Sequence, residues 1–233
     1  MGTYINNADI EACAHELQVS IWKQRGTLCP MGIVDPVDML DPEFAACVLG
    51  VSYEVHDSLG NRFNGNGVRV EIAGLIDRQA GKIAVSSRFH PDVVRFTGAH
   101  EIGHWLLHGD KVMHKDLPVK GLTVGRYVRP QLEREADHFA AFLLMPRKLV
   151  TARLEMYFST RSPIVFDEGT AFALRPDDPE SLLSPDDGSF ERALAIASCE
   201  SYRGKHFHSL AKQFHVSVPT MAIQLSECGL IQA

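Results

Sequence analysis

Two histidines and a glutamate within five residues, His100-Glu101-Ile102-Gly103-His104, restrict what this chain can fold into more than any other stretch. On a helix, His100 and His104 lie one turn apart on the same face, where both imidazoles can bind a single ion. Glu101, one position on, sits beside that ion without binding it. From there a carboxylate can take a proton from a water whose pKa zinc lowers toward neutrality, and can later hand the proton to a leaving amine. The chemistry that such a trio implies is hydrolysis of a peptide bond. The flanks predict the helix, because Val94, Ala99, Ile102, Leu106 and Leu107 recur at helical spacing. Pro91 suits its first turn and Gly109 is placed to cap its C-terminus.

Zinc needs a third protein ligand, with the fourth position left for water. The stretch from Pro130 to Pro146 starts and stops with proline and reads as a second helix, with Leu132, Ala136, Phe139, Ala140 and Leu143 toward a core. On it Glu133 and Asp137 are four apart, so both can point into one site. One carboxylate can bind the ion while the other accepts the remaining N–H of a ligating imidazole, fixing its tautomer.

The segments RFTGAHEIGHWLLH and EREADHFAAFLLMP resemble the ImmA/IrrE family of cytoplasmic metallo-endopeptidases. GLIDRQAGKIAVSSRF and LAKQFHVSVPTMAIQLSECGLI are similar to the same family, so the likeness covers most of residues 68–150 and roughly the last 25 residues. The resemblance implies an α+β, zincin-like metalloprotease fold, in which a small mixed or antiparallel sheet carries the active-site helix. It implies His100, His104 and Glu133 as metal ligands, Glu101 as general base and Asp137 as partner of a ligating imidazole. Zn2+ is the implied ion, although Mn2+ or another divalent cation can serve two imidazoles and a carboxylate. The implied role is regulatory: limited cleavage of a transcriptional repressor in a stress response or in mobile-element transfer.

Two other carboxylates compete for the third ligand position. Glu135 is rotated away from the face shared by Glu133 and Asp137. Asp110 stands where another zincin class, with a His-Glu-x-x-His-x-x-Gly-x-x-His/Asp motif, places a ligand, but Leu107 replaces the glycine at which that backbone turns. The helix is therefore expected to run to about His108 and carry Asp110 away. His108 continues the histidine stripe, yet a helix rises roughly 6 Å over four residues, too far for the same ion. It reads as a hydrogen-bonding or cationic group near the helix C-terminus, where the dipole and free carbonyls favour it. His114, His138, His206, His208 and His215 stand among polar neighbours and read as surface or boundary residues. Tyr127, Arg126, Tyr202, His206 and His208 are oxyanion donors by chemical type only.

A content of 45% hydrophobic and 22% charged residues fits one substantial core with at most a small appendage. A net charge of -6 argues against broad affinity for nucleic acid. The five cysteines are odd in number and form no Cys-x-x-Cys pair, which fits reduced thiols in the cytoplasm. No signal segment or long apolar span is visible, so neither secretion nor membrane insertion is expected.

The chain divides into a metallopeptidase domain with N-terminal helices over 1–160, an acidic, proline-rich loop or insertion over 161–189, and a helical segment over 190–233. Helices are predicted over 7–25, with Ile10, Cys13, Ala14, Leu17, Ile21 and Trp22 at helical spacing, and near 41–49, stopping at Gly50. Strands are predicted around Tyr53 and Val55 and around Val68, Val70 and Ile72, separated by a glycine- and asparagine-rich loop at 60–67. Leu75-Ile76 and Lys82 to Ser86 form a hairpin. If residues 82–87 are a sheet edge, a substrate can add there as an antiparallel strand. The stretch 161–189 lacks regular patterning and is expected as a surface loop or lid. Ser189 can then cap a helix running to about Tyr202.

Residues 209–225 outline a helix-turn-helix. The second helix carries no Lys or Arg. Ser217, Thr220 and Gln224 are of a type that can reach base edges, but packing within the protein fits this helix better, and direct DNA binding is not expected.

Overall fold

The computed structural model describes residues 5–32, 35–63, 67–109, 130–184 and 190–232, and the backbone of 113–116. Two compact units comprise residues 1–144 and 145–233. The first opens with α1 (Asn7–Lys23), which starts where the Asn6 side chain accepts the Asp9 amide at 2.9 Å. Ile10, Ala14, Leu17 and Ile21 are buried along its stripe, whereas Trp22 is 43% exposed beneath the Arg25 guanidinium. After α2 (Arg25–Leu28), a 3-10 turn at Pro36–Leu40 buries Val37, Met39 and Leu40. No periodicity announces so short an element. Asp41 caps α3 (Pro42–Leu49), which stops at Gly50 in the left-handed conformation (φ 70°) that only glycine takes without steric cost.

The strands that follow are β1 (Ser52–His56), β2 (Asn61–Phe63), β3 (Arg69–Glu71), β4 (Gly74–Asp77) and β5 (Lys82–Ser86). Then come α4 (Pro91–Leu107), β6 (Met113–Asp116) and α5 (Gln131–Leu144). The main sheet has the order β1-β5-β4-β6, with β5 parallel to β1 and antiparallel to β4, and β6 antiparallel to β4. The class is α+β, with small sheets.

The strand that could have formed a sheet edge is interior, and the predicted loop holds a strand. β5 is an interior strand and not an edge: Ile83, Ala84, Val85 and Ser86 are all buried, and partners lie on both sides. The loop at 60–67 yields a strand, because Asn61 to Phe63 pair with Glu71 to Arg69 in a separate hairpin.

α4 packs on β5 and β4 and also on α3 and α5, while α5 is covered by α1. It is buried from Thr97 to His104, so the whole candidate motif lies inside the unit. Arg95 anchors its first half to the α3 cap through Asp41 at 2.7 Å. α4 closes at His108, not Gly109. The Arg78 guanidinium, from the β4–β5 turn, donates to the carbonyls of His104 (2.8 Å), Trp105 (2.9 Å) and His108 (3.2 Å) and lies 4.6 Å from the Trp105 ring. A cation thus satisfies the carbonyls that a helix end leaves open.

The second unit comprises α6 (Arg147–Phe158), α7 (Glu168–Leu174), α8 (Glu180–Leu183), α9 (Glu191–Ser198), β7 (Ser201–Tyr202), β8 (Lys205–His206), α10 (Leu210–Gln213) and α11 (Val218–Glu227). The acidic stretch therefore holds helices where a loop is expected. Asp167 caps α7 by accepting the Thr170 amide at 2.7 Å, and Thr170, Ala171 and Leu182 are buried. α9 ends at Ser198, short of the expected Tyr202, because the chain turns into the β7–β8 hairpin at Arg203 and Gly204, both at positive φ. Ser189 lies outside the described residues. Among the described residues, no helix is long and apolar enough to cross a membrane.

Candidate metal centre

α4 and α5 meet where Gly103 faces Phe139 and Ala136. A Cβ at Gly103 would stand 3.1 Å from Phe139 and 3.2 Å from the Ala136 Cα, so the missing side chain sets the closeness of the two helices. This approach brings together His100 and His104 from α4 and Glu133 from α5. The two Nε2 atoms are 3.1 Å apart. Glu133 Oε2 lies 3.5 Å from His100 Nε2, and Glu133 Oε1 lies 3.6 Å from His104 Nε2. A tetrahedral ion with bonds of about 2.0 to 2.1 Å holds its ligand atoms about 3.3 Å apart, so these separations fit one ion among the three. Among the described residues, they are the group placed to hold a metal.

Asp137 stands behind His100, its Oδ1 2.9 Å from Nδ1. An ionised carboxylate only accepts, so the proton belongs on Nδ1 and the Nε2 lone pair is directed at the ion position. The structure thus separates Glu133 and Asp137 of α5, with Glu133 at the ligand atoms and Asp137 at the back of an imidazole. Glu135, the rival on the same helix, points elsewhere: its Oε2 is 2.9 Å from His108 Nε2, and its Oε1 accepts from Gln131 at 2.7 Å and from the Ile5 amide at 3.3 Å. Burial raises the Glu135 carboxyl pKa, but these hydrogen bonds outweigh it and hold the group below its ordinary value. Asp110 lies outside the described residues.

Glu101 is fully buried, and its carboxylate lies against Gly74 of β4, where a Cβ would stand 2.0 Å from Oε1. One turn earlier, Gly98 makes room for the Tyr53 hydroxyl, which lies 2.2 Å from where its Cβ would be. The Tyr53 phenol is raised far above its ordinary pKa, chiefly by burial and then by Asp41, Glu43 and Glu101, with Arg95 opposing. Sequence reasoning missed Gly74, Gly98 and Tyr53. A glycine three residues before Glu101 is a signal of close approach, but nothing in the sequence names what approaches.

Of the oxyanion donors considered by type, Arg126 and Tyr127 lie outside the described residues. Tyr202, His206 and His208 belong to the second unit, where Tyr202 is buried with its ring 5.0 Å from Phe158 and the two histidines are exposed. His138 stacks on Phe142 and His215 is exposed.

Residues 63–165 match the model of a peptidase family, M78, described as the IrrE N-terminal-like domain. The radiation response metalloprotease IrrE of Deinococcus radiodurans is 32% identical to the chain over 87 residues. That alignment covers 37% of this chain and 26% of the relative, so the chain spans about a quarter of the length of the curated relative it matches. The IrrE-like segment contains α4 and α5 entire, and with them His100, Glu101, His104, Glu133 and Asp137. The two histidines and Glu133, the group placed to hold a metal, thus lie within the segment that matches the peptidase-family model.

Proposed function

We propose that this protein is a zinc-dependent endopeptidase of zincin type that makes a limited, regulatory cut in a protein substrate, most simply a transcriptional repressor, in the cytoplasm. The observation that carries this reading is the convergence of His100, His104 and Glu133, with the buried carboxylate of Glu101 next along α4, inside the IrrE-like segment. The relative's printed role in the radiation response supports a stress-linked function. A divalent ion held by the three ligands supplies Lewis acidity, lowering the pKa of water and polarising a carbonyl.

The remaining work falls to the chain's own residues. Asp137 fixes the tautomer and orientation of His100. Glu101 would take the proton from the attacking water and return it to the leaving amine. Gly74 gives that carboxylate its place against β4. The outer side of β6 carries no strand among the described residues, so an extended substrate segment has an edge to join at β6. A flexible target is cut faster than a tightly folded one for that reason.

The test is a comparison of new protein N-termini in host cells that express the intact protein or Glu101→Gln, with and without DNA-damaging stress. Termini that depend on Glu101 identify the substrate and show whether it is a repressor. If the two strains yield identical termini under both conditions although both proteins hold zinc, the proteolytic reading fails.

A further inference from the structure

The histidine stripe of α4 continues one turn beyond His104, to a residue that the proposed chemistry leaves unused. His108 is buried at 8% exposure, and its ring meets that of His104 with Nδ1 to Nδ1 at 2.8 Å. Its other nitrogen, Nε2, is 2.9 Å from Oε2 of Glu135, itself only 3% exposed. Three buried groups therefore form a chain: the Glu135 carboxylate, His108 and His104.

We propose that Glu135 and His108 form a hydrogen-bond relay that keeps the proton of His104 on Nδ1 and so turns its Nε2 lone pair toward the metal position. A carboxylate can only accept, so the contact with Glu135 requires the His108 proton on Nε2. A neutral imidazole protonated there carries its lone pair on Nδ1. That lone pair faces His104 Nδ1 at 2.8 Å, and the single proton between the two atoms belongs to His104. His104 Nε2 then carries no proton and offers its lone pair, beside His100 Nε2 at 3.1 Å and Glu133 Oε1 at 3.6 Å.

Every member of the relay is anchored. Gln131 Nε2 and the Ile5 amide hold Glu135 Oε1, and the His108 backbone is tied to the His104 carbonyl at 3.1 Å and to Arg78 at 3.2 Å. Each metal-facing imidazole thus has a carboxylate of α5 behind it, Asp137 directly for His100 and Glu135 through His108 for His104. His108 and Glu135 are positioning residues. The inference rests on the reading of His104 as a metal ligand.

Two measurements on the full chain test it. Long-range proton–nitrogen spectra of the metal-free protein, with the His104 signal assigned by its loss in His104→Asn, report which ring nitrogen carries the proton. The relay predicts the Nδ1–H tautomer in the unmutated chain and a shift toward Nε2–H in Glu135→Gln, a near-isosteric change. Zinc affinity by chelator competition should fall about 10- to 100-fold in His108→Phe. His108→Asn, whose carbonyl can take the acceptor position of Nδ1, should recover part of that loss. A merely structural role would lower the melting temperature of the variants and leave the tautomer alone. Nε2–H at His104 in the unmutated protein, or full zinc affinity in folded His108→Phe, overturns the relay. An unmutated chain that takes up no zinc overturns the metal site together with the relay, and is told apart because it needs no variant.

Discussion

At Gly74 the volume that a methyl group needs is already filled by the Glu101 carboxylate, whose Oε1 lies 2.0 Å from where a Cβ would stand. Any side chain there must displace a fully buried group or push β4 from α4, and a packed core resists both. Gly74→Ala is therefore expected to lower cleavage of a substrate by about 100-fold or more while zinc content stays unchanged, since general-base catalysis contributes about 10²- to 10⁴-fold. Cleavage at the unmutated rate in the folded variant would show that β4 does not position the base. Glu133→Ala should lose tightly held zinc, whereas Asp110→Ala should retain it; the reverse pattern of metal content after dialysis would mean that the wrong carboxylate is assigned.

The pair α4 and α5 is the element on which the site depends, and Gly103 is its point of closest approach. Gly103→Ala must force the helices apart by a few tenths of an ångström against Phe139 and Ala136. A cost of about 1 to 3 kcal/mol in denaturant unfolding of the metal-free protein is expected, with weaker zinc binding, because Glu133 moves with α5. Arg78 secures the far end: removing its three carbonyl contacts in Arg78→Ala should cost about 1 to 3 kcal/mol and leave the first turns of α4 intact, as hydrogen exchange would report.

Much of this pair was legible in the sequence. The stripes of α1 and α5 follow a 3.6-residue period, and ligands four apart on one helix need no tertiary information, whereas α4 is buried on all sides from Thr97 to His104 and its surroundings are not written in a stripe. What stayed hidden depends on partners distant in the chain. The run Ile83 to Ser86 shows that a strand is buried but not which strands flank it, so the sequence leaves edge and interior strand undecided. Asp167 and its acidic neighbours read as a loop by composition, yet Asp167 spends its carboxylate on capping α7. His108 and Glu135 lie 27 residues apart, and only the register of α4 against α5 shows that they pair.

For the whole molecule, charge and the second unit bear on possible partners. The chain carries a net charge of -6. The side chains that could have read bases from the helix-turn-helix outline are engaged within their own unit. Gln224 is fully buried and donates to the Met145 carbonyl at 2.9 Å, and the Ser217 and Thr220 hydroxyls bond each other at 2.7 Å. No saturable, sequence-selective duplex binding is expected in fluorescence anisotropy at physiological salt; strong, salt-sensitive binding would reassign α11 to recognition. The proposed endopeptidase activity calls for a protein substrate, and that proposal begins with the ion. The decisive measurement is X-ray absorption on the zinc-loaded full chain beside Glu133→Ala. The account predicts one zinc per chain, with two imidazole nitrogens and carboxylate oxygen at about 2.0 to 2.2 Å, and loss of that environment in the variant. A chain that takes up no zinc, or a coordination sphere that contains sulfur or is unchanged in Glu133→Ala, would contradict it.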